Sequence, residues 1–211
     1  MKKNTRYLLI GTIIVVAGIL IIRSLLQPTT PVGTIPGISD ADWVKGNPTA
    51  KIQLVEYSDF QCPGCRQAWS LMKEVEQEFG NDIYFTYRYF PLTEIHKNAL
   101  ASAWAAEAAG KQGKFWEMHD VLFGYQDEWS PEVDPYSKFE KYATGLGIDL
   151  TKFKSDYESS DVRNKVATSR QAAVDLKLRG TPSFFLDGTA LQPGQDLKTL
   201  IRDTLAGGPK K

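Results

Sequence analysis

The chain has 211 residues, with 25 acidic and 25 basic side chains and no formal net charge. So even a balance offers no basic field for nucleic acid, and that partner class is set aside. The length accommodates one good-sized domain plus an appendage, and five Trp, nine Tyr and ten Phe suffice to fill a core.

Lys2, Lys3 and Arg6 precede an uncharged run from Tyr7 to Ile22; Arg23 interrupts it, and Leu25 and Leu26 follow. As a helix, residues 7–26 cover about 30 Å, the thickness of a hydrocarbon core. A single transmembrane anchor is expected over 7–26, with Arg23 snorkelling to the interface. The positive charge of residues 1–6 leaves them in the cytoplasm and sends the rest of the chain outside. The alternative is a cleaved signal peptide, but the run is long for that role and no Ala-x-Ala-like site follows it. Either way the domain reaches a compartment where thiols can be oxidised. Residues 27–40, with Pro28, Pro31 and Pro36 among Thr and Gly, read as an extended linker. The folded domain is expected over 41–206, with 207–211 a frayed tail.

Lys51–Tyr57 is short and rich in β-formers, consistent with a central strand, and Glu56 is its odd member. After it come the only two cysteines, in Cys62-Pro63-Gly64-Cys65. From Pro63 the period changes to helical, with Ala68, Leu71 or Met72, Val75 and Phe79 recurring, and Gly80 is the expected stop. Pro63 suits a first helical turn, which puts Cys62 at or near the N-cap. Unpaired N–H groups and the helix dipole favour a thiolate there. Cys62 is therefore the expected nucleophile and Cys65, one turn in, the resolving thiol. A bridge between them closes too short a loop to be a staple, contributing at best about 2 kcal/mol before strain. His96 and His119 lie far from the cysteines and from each other, unlike the close histidine pair of a zinc finger, so no metal site is expected.

Asp82–Phe90 reads as a second strand ended by Pro91. A long helical stretch follows, over about residues 94–178. It comprises Asn98–Ala109, Phe115–Phe123, a helix starting at Asp134-Pro135, a short helix through Leu150, Phe153 and Tyr157, and a longer one capped by Asp161. No spacing ties His96 or His119 to Cys62, and both are expected to be structural hydrogen-bonders. Pro182 then opens a strand, either as a simple strand-start proline or as a cis-proline. Asp187-Gly188 is a hairpin turn, and Asp196–Leu205 a final amphipathic helix.

Together these motifs resemble the DsbA-like thiol–disulfide oxidoreductases of the thioredoxin superfamily. The resemblance rests on Leu54–Cys65, Tyr89-Phe90-Pro91-Leu92, Gly113–Asp120 and Gly180-Thr181-Pro182-Ser183-Phe184. It implies an α/β thioredoxin fold with an inserted α-helical domain, here behind an N-terminal transmembrane helix. The long interval between Cys65 and Pro182 gives room for that insert. The resemblance further implies a redox-active Cys62–Cys65 disulfide with Cys62 exposed and Cys65 buried. Thr181 and Pro182 would form a cis-proline loop pairing with substrate backbone, beside Phe60, Pro63 and Gly64. Glu56 would be the buried proton acceptor for Cys65, its pKa raised by burial. No cofactor is implied. One departure is Gly64, where strongly oxidising relatives carry a histidine.

The function expected is dithiol oxidation of reduced or misoxidised exported proteins, with a membrane quinone-linked reoxidant of DsbB-like or VKOR-like type resetting the pair. A disulfide reductase or isomerase with a reducing membrane partner is the alternative within the same chemistry. A peptide-binding chaperone module is the alternative of another class.

Overall fold

The computed structural model describes residues 35–192 and 194–208. The expected anchor at 7–26, residues 1–6, most of the 27–40 linker and the end of the tail lie outside the described residues. No helix among the described residues is long and apolar enough to cross a membrane.

In chain order the elements are β1 (Trp43–Gly46), β2 (Ile52–Ser58), α1 (Pro63–Phe79), β3 (Ile83–Tyr89) and then six helices. These are α2 (Ala99–Gly110), α3 (Phe115–Gly124), α4 (Gln126–Trp129), α5 (Tyr136–Gly145), α6 (Leu150–Glu158) and α7 (Ser160–Asp175). β4 (Ser183–Leu186), β5 (Thr189–Ala190) and α8 (Leu197–Leu205) close the domain. The sheet order is β1-β3-β2-β4-β5, with β2 and β3 parallel and every other pair antiparallel. This is the thioredoxin fold with α2–α7 inserted between β3 and β4.

β2 lies at the centre of the sheet, and its register against β3 positions the site. On one face the pairs Ile52/Ile83 and Leu54/Phe85 are apolar. They pack with Met72, Val75 and Phe79 of α1 and with Leu197 and Ile201 of α8. The same column continues upward as Glu56/Tyr87 and Ser58/Tyr89. Because side chains alternate along a strand, these polar groups stay on the face that lies beneath α1. On the opposite face Tyr57 pairs with Arg88, whose guanidinium holds Asp42 at 2.7 and 2.9 Å and the carbonyls of Pro36 and Gly37.

The insert is built around α2. Ala99, Ala103, Ala105, Ala106, Ala108 and Ala109 are all buried, so this helix is surrounded rather than amphipathic. Small side chains let α3, α6 and α7 approach it closely. Asp187 and Gly188 both adopt positive φ, 47° and 81°, as the two-residue hairpin between β4 and β5 requires.

Four local details depart from the sequence expectations. β1 is a strand although Trp43–Gly46 shows no alternation; it is an edge strand held by β3. α4 is an additional short helix. The cap of α7 is Ser159, whose hydroxyl accepts from the Val162 amide, whereas Asp161 sits inside the first turn. Gly80 ends α1 in a right-handed conformation, with φ −56°, rather than the left-handed stop.

Trp43 ties β1 to the insert. Its indole stacks on Phe115 at 4.5 Å and donates to Glu107 at 2.6 Å. A Cβ on Gly110 would run into the Trp43 ring. The ring is fixed by that stack and hydrogen bond and cannot move aside cheaply. Gly110→Ala is therefore expected to destabilise the fold by roughly 1–3 kcal/mol of overpacking. The up to about 1 kcal/mol that Ala adds as a helix former does not offset this. Thermal melting monitored by tryptophan fluorescence checks the sign; an unchanged or raised Tm would show that Trp43 yields.

Candidate active site

The end of β2 delivers the chain into a tight turn and then directly into α1. The Cys62 amide donates to the Asp59 carbonyl at 3.0 Å, closing that turn. Cys62 itself is the N-cap of α1, with extended backbone (φ −73°, ψ 123°), and Pro63 occupies the first helical position. No side chain caps this helix, so its first amides are available to the Cys62 sulfur.

Opposite the sulfur stands the loop entering β4. The Thr181–Pro182 peptide bond is cis. The Cys62 thiol donates to the Thr181 carbonyl at 3.4 Å. Gly64 lies beside this contact: a Cβ there would sit 3.4 Å from Pro182 Cδ and 3.6 Å from Cys62 Sγ, ordinary van der Waals contact. Pro63 is exposed, and Gly64, Thr181 and Pro182 are partly exposed around the sulfur. Cys62, expected to be exposed, is only 8 % accessible, because the cis-proline loop lies over it. Cys65 is fully buried, and both cysteines are free thiols in this structure. Phe60, expected at the substrate surface, is instead core: it is 1 % accessible and stacks on Tyr87 at 5.1 Å.

The two thiols have opposite electrostatic fates. A hydrogen bond from Cys65 draws the Cys62 pKa down to about 5 against the opposing cost of burial, with Thr181 and the amides of Cys65 and Gly64 adding to the effect. Burial, and then the hydrogen bond it gives to Cys62, pushes Cys65 well above the ordinary thiol range. The pair therefore loses one proton easily and holds the other. Behind Cys65, burial lifts Glu56 to about 7, opposed by a hydrogen bond from Ser58 and by the charge of Lys45. The Ser58 hydroxyl donates to Glu56 Oε1 at 2.7 Å.

Several site residues were not singled out in the sequence. Asp59 is a buried hub: its carboxylate accepts from the Gln61 and Leu92 amides at 2.8 and 2.9 Å and meets His96 Nδ1 at 2.7 Å. Its amide also points at Cys65 Sγ, 3.5 Å away. The link to Gln61 is an Asx turn, a signal legible two residues ahead in the sequence. Gln126, on α4, donates to the carbonyls of Phe60 and Cys62 at 2.6 and 3.0 Å. Gln61 reaches Ser130 and Asn98. The insert thus grips the cysteine turn by amide side chains. His96 joins this network, and His119 is buried among Phe60, Tyr87, Phe115 and Trp116. Among the described residues no three His, Cys, Asp or Glu side chains converge as a metal site.

The pH behaviour of Cys62 has a definite sign. Its alkylation rate should rise as pH increases through about 5, and Cys65→Ala, which removes the hydrogen-bond donor, should move that inflection upward. Iodoacetamide trapping against pH measures both. An inflection unaffected by Cys65→Ala would show that the helix amides alone stabilise the thiolate.

Comparison with known proteins places this geometry. A family model described as Thioredoxin matches residues 39–203. Among curated proteins, the Na(+)/H(+) antiporter NhaA 1 of Mycolicibacterium vanbaalenii is 39 % identical over 193 residues, covering 88 % of this chain and 30 % of the antiporter. The NhaA 3 antiporter of Salinispora tropica is 37 % identical over 154 residues, covering 73 % of this chain and 23 % of the relative. This chain thus spans about 30 % or less of the length of these relatives. Among solved structures, oxidised BdbD from Bacillus subtilis superposes with a TM-score of 0.74 at 21 % identity, covering 85 % of this chain and 100 % of that one. The alpha-DsbA1 of Wolbachia pipientis gives 0.71 at 18 % identity, with 84 % and 96 % covered. A thioredoxin-like oxidoreductase from Silicibacter pomeroyi gives 0.68 at 25 % identity, with 81 % and 95 % covered.

Proposed function

The chain belongs to the thioredoxin family, in its DsbA-like branch of thiol–disulfide oxidoreductases, and we propose that it works as an extracytoplasmic dithiol oxidase for exported proteins. The observation that carries this is the Cys62 sulfur at the bare N-terminus of α1, hydrogen-bonded by Cys65 and facing the cis Thr181–Pro182 bond. A site that stabilises the Cys62 thiolate stabilises the reduced enzyme, so the disulfide is readily given away.

In this reading a substrate thiolate attacks Cys62 of the Cys62–Cys65 disulfide. The Cys62–Cys65 bond breaks, a substrate–Cys62 disulfide forms, and the electron pair leaves on Cys65. A second substrate thiolate then attacks the substrate sulfur of the mixed disulfide. Cys62 departs as the thiolate its surroundings favour, the substrate leaves oxidised, and the enzyme is left as the dithiol. Thr181, Pro182, Pro63 and Gly64 are the surface that meets the substrate backbone, and Glu56 manages the proton of Cys65. A quinone-linked membrane oxidant of DsbB-like or VKOR-like type restores the disulfide.

The charged cluster and apolar run at residues 2–26 support a membrane-anchored domain on the extracytoplasmic side. Relatives in which a matching segment belongs to an antiporter chain agree with a membrane address. A reductase or isomerase is the second reading, and Gly64 favours it: no cation between the cysteines adds to the stabilisation of Cys62.

Equilibration with glutathione decides the direction. An oxidase requires a potential clearly more oxidising than the about −270 mV of thioredoxin, toward the about −120 mV of DsbA. A value at thioredoxin's level would assign the reductase role. Cys62→Ser should abolish oxidation of a reduced test protein, and protease protection of intact cells should place the domain outside.

A further inference from the structure

Beneath Cys65 the sheet presents a small buried set of proton-bearing groups. Glu56 is 2 % accessible, Ser58 1 %, and both project from β2 on the face under α1. Ser58 Oγ donates to Glu56 Oε1 at 2.7 Å, the amide of the next residue, Asp59, lies 3.5 Å from Cys65 Sγ, and the Ser58 hydroxyl counters the rise that burial gives the Cys65 and Tyr87 pKa values. Tyr87 is paired across the strands with Glu56, and its hydroxyl closes no hydrogen bond of its own. A serine hydroxyl has one hydrogen to give and two lone pairs to receive with. Here the hydrogen goes to the carboxylate, leaving acceptor capacity facing a thiol whose proton must come and go.

We propose that Ser58 is the proton-relay residue of this site, the hydroxyl through which Glu56 and Cys65 exchange a proton during disulfide exchange. This deepens the oxidoreductase reading and rests on it. When a thiolate attacks Cys62 of the disulfide, the sulfur–sulfur bond breaks and Cys65 leaves with its electron pair. The Ser58 hydrogen passes to Cys65, and the Glu56 carboxyl hydrogen replaces it on Ser58. The products are a neutral Cys65 thiol, a Glu56 carboxylate and a Ser58 hydroxyl that now donates to that carboxylate. The reverse sequence deprotonates Cys65 when it attacks a mixed disulfide. The titratable and charged groups facing Glu56 are Lys45 from β1, Tyr87 from β3, and Cys62 and Cys65 at the start of α1; on β4 its register partner is the uncharged Phe184.

The test measures reduction of the oxidised full chain by dithiothreitol, quenched with acid and read by alkylation mass shift. Rates are normalised to dithiothreitol thiolate. In the wild type the normalised rate should fall as pH rises through about 7, where Glu56 loses the proton it donates. Ser58→Ala should lose this limb and be roughly a hundredfold slower below it, at the low end of what a positioned acid contributes. Above the limb the two proteins should react alike. Glu56→Gln should reproduce the defect, and the double variant should be no worse than either single one. Ser58→Thr, which keeps the hydroxyl, should keep the limb. The relay is overturned if Ser58→Ala retains the limb, if the two defects multiply, or if Ser58→Thr loses the limb while melting like the wild type. Trapping of a mixed disulfide by Cys65→Ala reports on the oxidoreductase reading separately. A trapped complex with an unaltered Ser58→Ala profile would refute the relay alone.

Discussion

The placement of the two sulfurs across the start of α1 organises the site. It works only because the thiols occupy different surroundings a single turn apart. Cys62 caps a helix whose first amides have no other partner, and Cys65 lies inside the core. Negative charge is therefore favoured on one sulfur and penalised on the other, and a hydrogen placed between them is held asymmetrically. The parallel register of β2 and β3 sets up the rest. It places an aliphatic column low in the sheet and a polar one directly below the cysteines. Changing the β2 register by one residue would turn Glu56 and Ser58 to the far face.

The inserted helices do more than enlarge the domain. Gln126 holds the carbonyls on either side of Gln61, and Gln61 in turn reaches back to Ser130 and Asn98. Asp59 binds the turn to the segment after β3 through Leu92 and His96. These bonds satisfy backbone groups that a tight turn leaves without partners. They also mean that the position of the nucleophile depends on how the insert sits on the sheet, since no regular secondary structure fixes the turn itself.

What the sequence made legible was local. The cysteine pair, Pro63 in the first turn, the periodic α1 and the Asp187-Gly188 hairpin all act within a few residues, and the pattern shows them. Glu56 stood out because a carboxylate in an apolar strand is costly without a purpose. Ser58 did not, because a serine at a strand end is ordinary until its neighbours are known. Gln126 and His96 gain their roles from contacts across long stretches of chain, which no spacing rule encodes. β1 was hidden for another reason. Four residues are too few to show a period, and Trp43 is placed by Phe115 and Glu107 from a distant helix. Phe60 was misplaced because proximity to Cys62 in sequence is not proximity to solvent.

The sheet is flanked by β1, four residues long, and β5, only two. Unpaired backbone along a sheet rim is a template onto which a stray extended chain can add. Rims this short offer little to such a chain. Under the proposed function the clients are incompletely folded polypeptides, which such a domain would meet constantly. On that reading the blunted borders would keep the domain out of co-aggregates with its clients, and the cis-proline loop beside the reactive sulfur would be left as the place where an arriving strand finds a backbone partner.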